Sequence, residues 1–438
     1  MLAILGNRTY RHLFLAQVIA LIGTGLATVA LGLLAYDLAG ANAGIVLGTA
    51  LAIKMIAYVG VAPIASAFAE RLPRRAMLVG LDLVRAAVAL LLPFVSEIWQ
   101  VYVLIFVLQS ASAAFTPTFQ ATIPDILPDE KDYTQALSLS RLAYDLESLL
   151  SPALAALLLT VISFHNLFAG TVIGFLASAA LVVSVALPSP KPGEPRGIYE
   201  RTTRGLRIYL ATPRLRGLLA LSLAVSAAGS MVIVNTVVLV QATYGMTQQA
   251  TALALALFGA GSMTAAFALP SLLDRLDDRR LMLAAGAALP ALLLLGTLVP
   301  GFPILLLLWF ALGFAYSLTQ TPSGRLLRRS AHAEDRPALF AAQFALSHAC
   351  WLVTYPAAGW LGATLGLPAT FAVMAGIAAL ALTIAFRVWP ASDPDEIEHE
   401  HLALAPDHPH LAGAGRRHRH AFVIDREHPA WPNPGRTG

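Results

Sequence analysis

The sequence predicts an all-α membrane protein with twelve transmembrane helices in two pseudo-symmetric six-helix halves. Three observations carry this: an apolar composition, regularly spaced apolar runs, and arginines confined to alternate connections. Of the 438 residues, 57% are hydrophobic and only 12% charged, and the mean hydropathy is +0.70. Soluble domains hold roughly 45–50% apolar and about 25% charged residues, so the bilayer is the natural solvent for this chain. The single cysteine, Cys350, excludes an intramolecular disulfide framework. The first apolar segment is far longer than a signal-peptide core and lacks a cleavage site, so it is expected to stay as a membrane helix.

A helix crosses the hydrocarbon core in roughly 20 mainly apolar residues. Such runs predict spans at 13–36, 44–67, 76–95, 99–117, 135–161 and 165–187, then at 216–241, 248–272, 280–299, 303–323, 338–361 and 366–389. Pro93, Pro152, Pro290 and Pro356 are tolerable inside spans, because neighbouring helices satisfy the freed carbonyls. Orientation follows from charge. Arg8, Arg11, Arg71, Arg74, Arg75, Lys131, the basic stretch 191–216, Arg275, Arg279, Arg280, Arg325, Arg328, Arg329 and Arg336 all fall on one side. The connections around Gly40, Glu97, Asn166, Gly245, Gly301 and Gly366 contain no Lys or Arg. The positive-inside rule then puts both termini in the cytoplasm of an inner-membrane protein.

The predicted organisation is a six-helix half at 1–188, a cytoplasmic linker at 189–215 with an amphipathic helix from Tyr199 to Tyr209, and a second half at 216–390. Residues 391–438 are polar and expected to be disordered. Internal similarity joins the halves: Glu70 and Asp274 stand 274 − 70 = 204 residues apart, and Pro152 and Pro356 356 − 152 = 204 apart. Thr116-Pro117 and Thr321-Pro322 follow at nearly the same offset. A common offset implies two parallel repeats with a substrate site at their interface.

Glu70, Arg71, Arg74 and Arg75, with Asp274, Arg275, Arg279 and Arg280 in the second copy, resemble the loop motif between spans two and three of the major facilitator superfamily. In this chain Ala67, Glu70 and Pro73 replace that motif's Gly, Asp and second Gly. The resemblance implies that these residues hold the cytoplasmic gate; enforcing topology is the simpler role. The stretch Thr116 to Asp125, with Arg141 and Ser151-Pro152, resembles the enterobactin-exporter-like branch and implies export. In this superfamily the first, fourth, seventh and tenth helices line the cavity, which here offers Gln17, Thr24, Thr28, Gln109, Ser110, Ser112, Asn235, Tyr316, Thr319 and Gln320.

Ionisable residues inside spans cost roughly 2.5–3.5 kcal/mol each by insertion scales. Asp82 with Arg85, and Arg141 with Asp145, have the spacing of same-helix ion pairs. Lys54 and Glu147 lie near mid-span, and Glu147 has no basic partner three or four residues away on its own helix. They are candidates for ion coupling or substrate contact; the simpler reading is that they neutralise each other between helices. His348 is a further candidate, though such a histidine is more often a hydrogen-bonded interior group. No G-x-x-x-x-G-K-[ST] phosphate loop occurs, so energy is expected from an ion gradient, worth roughly 2.3 kcal/mol per charge per 100 mV.

Seven of the eleven histidines fall in the tail. His399 and His401, His408 and His410, and His418 and His420 form three His-x-His pairs, suited to loose binding of Ni, Co or Zn. The tail is similar to that of the nickel-resistance exporters. The expectation is a proton-coupled exporter of a small, partly apolar, drug- or siderophore-like molecule. A nickel or cobalt exporter and a non-transporting membrane metal sensor are the alternatives. No enzymatic role, cofactor or nucleic-acid partner is expected, and the unit is expected to be a monomer in the lipid bilayer.

Overall fold

The structure is a computed structural model that describes residues 2–69, 73–188, 198–298, 301–332, 335–394, 396–400, 411, 417–425 and 427–432. Only the backbone is described at 2–3, 62–69, 117, 120, 121, 124, 130, 131, 133, 134, 137, 138, 141, 142, 145, 146, 148, 149, 198–202, 270, 336 and 337. Each predicted span is a helix. The first half holds α1 (Arg8–Ala39), α2 (Ala43–Ala69), α3 (Arg74–Leu91), α4 (Ile98–Ile126), α5 (Glu130–Leu158) and α6 (Phe164–Val183). The linker carries α7 (Ile198–Ala211), and the second half holds α8 (Pro213–Val237), α9 (Gln248–Leu273), α10 (Asp278–Gly296) and α11 (Phe302–Gln320). A short α12 (Ser323–Arg329) precedes α13 (Arg336–Thr364) and α14 (Leu367–Val388). Ten segments among the described residues have the length and composition to cross a membrane, one of them, Arg8–Val61, containing both α1 and most of α2.

Local chemistry explains the helix ends. Asn7 caps α1 by accepting from Tyr10 N at 3.1 Å, Glu97 and Gln100 form a reciprocal capping box on α4, and Asp277 accepts from Arg280 N to start α10. At the end opposite the arginines, the chain turns on Gly40, Gly245 and Gly366 with φ of 55°, 64° and 81°. Side chains with a Cβ rarely adopt that region, so glycine is the cheap solution there.

Packing reproduces the repeat. In the first half α1 packs on α5 and α6, α2 on α4, and α3 on α4 and α6; in the second, α8 packs on α13 and α14, α9 on α11, and α10 on α11 and α14. The halves join by α2 against α13 and α5 against α9, again a symmetric pair. Close approach at the end opposite the arginines makes this seam. A Cβ at Gly48 would lie 2.5 Å from Tyr355 O, and one at Gly359 2.1 Å from Gly44 O. Such small-residue contacts let membrane helices pack backbone to backbone. On the other partner pair, Gln249 Nε2 donates to Leu159 O at 2.6 Å.

The linker carries the helix α7. It lies on the basic end of α13, with Arg204 paired to Asp335 at 2.7 Å and Tyr209 hydrogen-bonded to Gln343.

The tail corrects the expectation of disorder in its described part. β1 (Glu396–Glu400) and β2 (Arg417–Ala421) pair antiparallel, with His399 opposite His418 and Ile397 opposite His420. The cause is a period-two pattern, Glu-Ile-Glu-His-Glu against Arg-His-Arg-His-Ala. It puts the charges on one face, where Arg417 meets Glu398 at 3.0 Å and Arg419 meets Glu396 at 3.4 Å. The sheet is anchored to the second half: Phe422 and Ile424 join a core with Leu215, Leu326 and Trp389. Asp393 receives Arg214 at 3.2 Å, Arg329 at 2.7 Å and Trp389 Nε1 at 3.0 Å. His401, His408 and His410 lie outside the described residues.

Candidate functional site

The interior charges predicted as special are brought together at mid-depth of the first half. Glu147 projects from α5 toward α1, where Gly25 makes room. A Cβ at Gly25 would stand 2.7 Å from Glu147 Oε1 and 2.1 Å from Ser151 Oγ. Lys54, on α2, is the cation whose charge acts on Glu147. No ion pair within 4 Å joins them among the described residues. Lys54 Nζ also sits 5.8 Å from the Tyr58 ring centroid, within the range of a cation–π attraction. A half-buried Glu/Lys pair held apart can take up or release a proton without first breaking a contact ion pair.

Lys54 borders a narrow cavity between α1, α2 and α4, together with Thr24, Thr28, Gln109 and Ser112. Its free space of about 20 Å³ suits one or two waters, each needing roughly 10–15 Å³ by the same measure. Gln109 Oε1 is buried there without a hydrogen-bond partner among the described residues, and ordered water would satisfy it. The space is far too small for a drug-sized cargo in this conformation.

The same place in the second half is built differently. With the 204-residue offset, Glu147 corresponds to Trp351 (351 − 147), Lys54 to Phe258 (258 − 54) and Gly25 to Gly229 (229 − 25). The packing obeys that correspondence: a Cβ at Gly229 would lie 2.4 Å from the Trp351 ring. Phe258 meets Tyr316 edge-on at 5.5 Å, Tyr316 meets Trp351 at 6.4 Å, and Trp351 meets Tyr355 at 4.8 Å. Thus a charged pair in one half corresponds by position to an aromatic cluster in the other, with Glu147 and Trp351 set on matching glycine notches.

Other predicted residues divide into packing and lining groups. Asp82 and Arg85 form the expected pair, both buried. Ser178 donates to Asp82 at 2.7 Å, and the Arg85 guanidinium lies 4.1 Å and 4.4 Å from the Phe115 and Phe175 centroids. This is a structural clasp of α3 to α6. Gln17 is not a cavity residue: it is buried and accepts from Ser140 Oγ at 3.1 Å, joining α1 to α5. Asn235 is likewise withdrawn from the cavity, because its amide donates to Ala358 O at 3.0 Å where α8 meets α13. Thr319 is fully buried against Ala315 O. Gln320 is half-buried with Oε1 unpartnered among the described residues. His348 stacks between Phe344 at 3.9 Å and Tyr58 at 5.7 Å, bonded to Phe344 O at 2.7 Å. It therefore lies on the α2–α13 seam between the halves. The side chains of Arg141 and Asp145 lie outside the described residues.

At the basic end, Glu70 and Arg71 are outside the described residues. Arg74 pairs with Asp125 at the end of α4, and Arg75 donates to Val183 O at the end of α6. In the second half Arg279 donates to Trp389 O at 3.1 Å and Phe386 O at 3.4 Å at the end of α14, repeating the Arg75 contact. Asp274 and Arg275 are exposed; the ion pairs are made instead by Asp277 with Arg280 at 3.2 Å and Asp278 with Arg325 at 3.3 Å. The pairings of Asp125, Asp278, Arg325 and Asp393 are not foreseen from the sequence, since long-range charge pairing leaves no local signature.

In the tail, single ring nitrogens of His399, His418 and His420 fall within 4.8 Å of one another. His428, buried beside them, donates from Nδ1 to the Asp425 carboxylate at 2.8 Å. Burial holds the His399 and His428 imidazoles below their ordinary value, and the neighbouring imidazoles push His399 the same way. Burial alone would raise the Asp425 carboxyl, but hydrogen bonds from His332 and His428 outweigh it and hold the group below the usual carboxylate range.

Comparison with known proteins places this arrangement in a family. Residues 13–221 and 218–424 each match the profile described as Major Facilitator Superfamily, so the two halves are two copies of one unit. Macrolide efflux protein A of Streptococcus pyogenes is 27% identical over 152 residues, 32% of this chain and 37% of that protein. An uncharacterized MFS-type transporter, YfiS of Bacillus subtilis (strain 168), is 28% identical over 120 residues, 27% of this chain and 28% of its own length. The matched stretch thus spans about a third of these relatives. Among solved structures, an inward-facing, unoccupied bacterial homologue of the human lysosomal transporter Spinster superposes with TM-score 0.69 at 12% identity, covering 87% of this chain and 97% of that one. The nucleoside transporter NupG gives TM-score 0.67 at 12% identity, covering 88% and 100%. With two matches to the family profile and this pairing of halves, the chain belongs to the Major Facilitator Superfamily of multi-pass membrane transporters.

Proposed function

We propose that the protein is a proton-coupled exporter of small, partly apolar molecules, with Glu147 as the proton carrier and the aromatic cluster around Trp351 as the wall that receives the cargo. The observation that carries this reading is the mid-depth pair of Glu147 and Lys54 in a facilitator fold. An ionisable group there costs several kcal/mol unless it has a partner or water, and a proton-binding task gives a reason to keep it. When Glu147 is ionised, Lys54 offsets its charge; when it is protonated, the pair is broken electrostatically and the halves meet a changed field. The narrow cavity beside Lys54 has room for one or two waters that could relay a proton, while the aromatic cluster suits an apolar cargo. Similarity to macrolide efflux proteins supports outward transport, and the arginine-rich end is placed in the cytoplasm by the positive-inside rule.

Nickel or cobalt as cargo is less well supported. Among the described residues, the one group of histidine, cysteine or carboxylate ligands at metal-binding spacing lies in the tail and not between the halves. We place metal binding there, outside the transport path. The test uses inverted membrane vesicles acidified inside, with a panel of macrolides, lipophilic dyes and siderophores. At least one compound should be accumulated and should dissipate the pH gradient, and Glu147→Gln should lower gradient-driven accumulation by about a hundredfold. Accumulation that survives Glu147→Gln unchanged would sink the coupling role, and Ni2+ or Co2+ moving in place of every organic compound would sink the cargo class.

A further inference from the structure

We propose that His399, His418, His420 and His428 form a site for one transition-metal dication of the kind that favours imidazole, with Zn2+ as the probe. The proposal deepens the placement of metal binding in the tail; it is independent of what the protein carries.

The first argument is the convergence of three rings, His399, His418 and His420, whose ligand nitrogens lie within 4.8 Å of one another, with His428 set against two of them. The strand register puts His399 opposite His418, and His420 two residues further along the same face. Ring centroids lie 5.0 Å apart for His399–His418, 4.6 Å for His399–His420, 4.8 Å for His399–His428 and 5.1 Å for His420–His428. A free tail of His-x-His pairs would hold no such arrangement. Here the opposite face of the sheet is tied by two Arg–Glu pairs, and Phe422 packs under His399 and His428 at 5.0 and 4.7 Å.

The second argument is proton bookkeeping. His399 Nδ1 lies 3.0 Å from Ile397 O, and His420 Nδ1 lies 2.8 Å from Ala421 O. Carbonyl oxygens only accept, so both Nδ1 atoms carry hydrogen and both Nε2 atoms carry lone pairs. His428 Nδ1 faces the Asp425 carboxylate, which assigns its Nε2 the same way. Yet His399 Nε2 and His428 Nε2 stand 2.9 Å apart. Two lone pairs aimed at each other at that distance repel unless a cation, either a proton or a metal ion, lies between them. A tetrahedral zinc with N ligands at about 2.0–2.1 Å separates them by roughly 3.3 Å, so the pair must open by only a few tenths of an ångström.

The third argument is the outer shell. Asp425 orients His428, and its other oxygen lies 3.2 Å from His332 Nε2, in the segment between α12 and α13. Carboxylate–histidine–metal relays of this type fix the tautomer and strengthen the ligand. Metal bound to the sheet would therefore tighten the tail against the connection leading into α13, the helix that carries Trp351.

The test is Zn2+ titration of the full-length, tag-free chain in detergent, followed by calorimetry. One ion per chain is expected. His399→Ala should weaken binding at least a hundredfold, and Asp425→Asn should weaken it by about 10–100-fold, as removal of an orienting partner does. Joint replacement of His401, His408 and His410 by Ala should change nothing. Binding lost in that triple variant but kept in His399→Ala would overturn the site in favour of a loose His-rich tail. Co2+ loaded into the wild-type chain gives a second reading that needs no variant. Intense visible absorption of a four-coordinate ion supports the proposal; the weak spectrum of a six-coordinate ion overturns it.

Discussion

The two halves share a helix arrangement and differ in what they place at its centre. On one glycine notch the first half sets Glu147, with Lys54 across from it; on the matching notch the second half sets Trp351, with Phe258 and Tyr316 nearby. The difference extends to the next layer. Asp82 and Arg85 are buried in α3, whereas their counterparts at the same offset, Gly286 and Leu289, are apolar in α10. A duplicated scaffold thus keeps its packing surfaces while one copy holds charge and the other holds aromatic area. On the proposed function this contrast is a division of labour: a proton is assigned to the half where charges can be paired, and a partly apolar cargo to the half where rings can cover it.

The largest effect should come from breaking the charged layer. Asp82→Ala leaves Arg85 buried without its carboxylate, which typically costs about 3–5 kcal/mol. Replacing both by Leu imitates the apolar second half and should restore most of that loss, because well-packed apolar pairs often match buried ion pairs. Unfolding in mixed micelles distinguishes the two. A double variant as unstable as the single one would mean that the pair does more than neutralise itself.

Glu147→Gln comes next, at about a hundredfold, or roughly 2.7 kcal/mol. It should lower gradient-driven transport by that factor yet leave downhill exchange of cargo intact, because glutamine keeps the shape of the side chain but cannot carry the proton. Trp351→Ala should act in the opposite sense. It should weaken cargo binding by about tenfold, or roughly 1.4 kcal/mol, while the protons moved per cargo molecule stay the same. If Trp351→Ala uncoupled transport and Glu147→Gln only weakened binding, the division between the halves would be reversed.

Much of this contrast could be read from the chain. Apolar runs and one-sided arginines located the twelve spans, and three anchors at a near-constant offset showed the repeat. The i,i+3 spacing of Asp82 and Arg85 announced their pair, because helix geometry alone puts them on one face. The aromatic counterpart of Glu147 was within reach of the same offset, but an offset identifies a position and not the notch that receives it. Gln17 and Asn235 went astray for a related reason. A polar residue on a cavity-lining helix has several faces open to it, and only the neighbouring helices, here α5 and α13, decide which one it takes. In the tail, the alternation of Glu-Ile-Glu-His-Glu and Arg-His-Arg-His-Ala is a strand signal with complementary charge. It was hidden by a composition that reads as disordered and by the absence of an apolar stripe.

The smallest effect concerns a pair whose polarity is exchanged between the halves. Arg74 opens α3 and pairs with Asp125; Asp278, at the equivalent place (278 − 74 = 204), opens α10 and pairs with Arg325. Only the second arrangement agrees with the helix dipole, which favours an acidic group at a helix N-terminus by about 0.3–1 kcal/mol. Arg74→Asp combined with Asp125→Arg gives the first half the second half's polarity. The pair is rebuilt and the arginine count at that end is unchanged, so topology should hold. Partly exposed pairs contribute only about 0–1 kcal/mol, so stability should shift by less than that, in the stabilising direction set by the dipole. Arg74→Asp alone sets two carboxylates against each other and should destabilise. If the double exchange left stability intact but slowed transport, Arg74 would have a gating role beyond its charge pair, and the polarity difference between the halves would itself be functional.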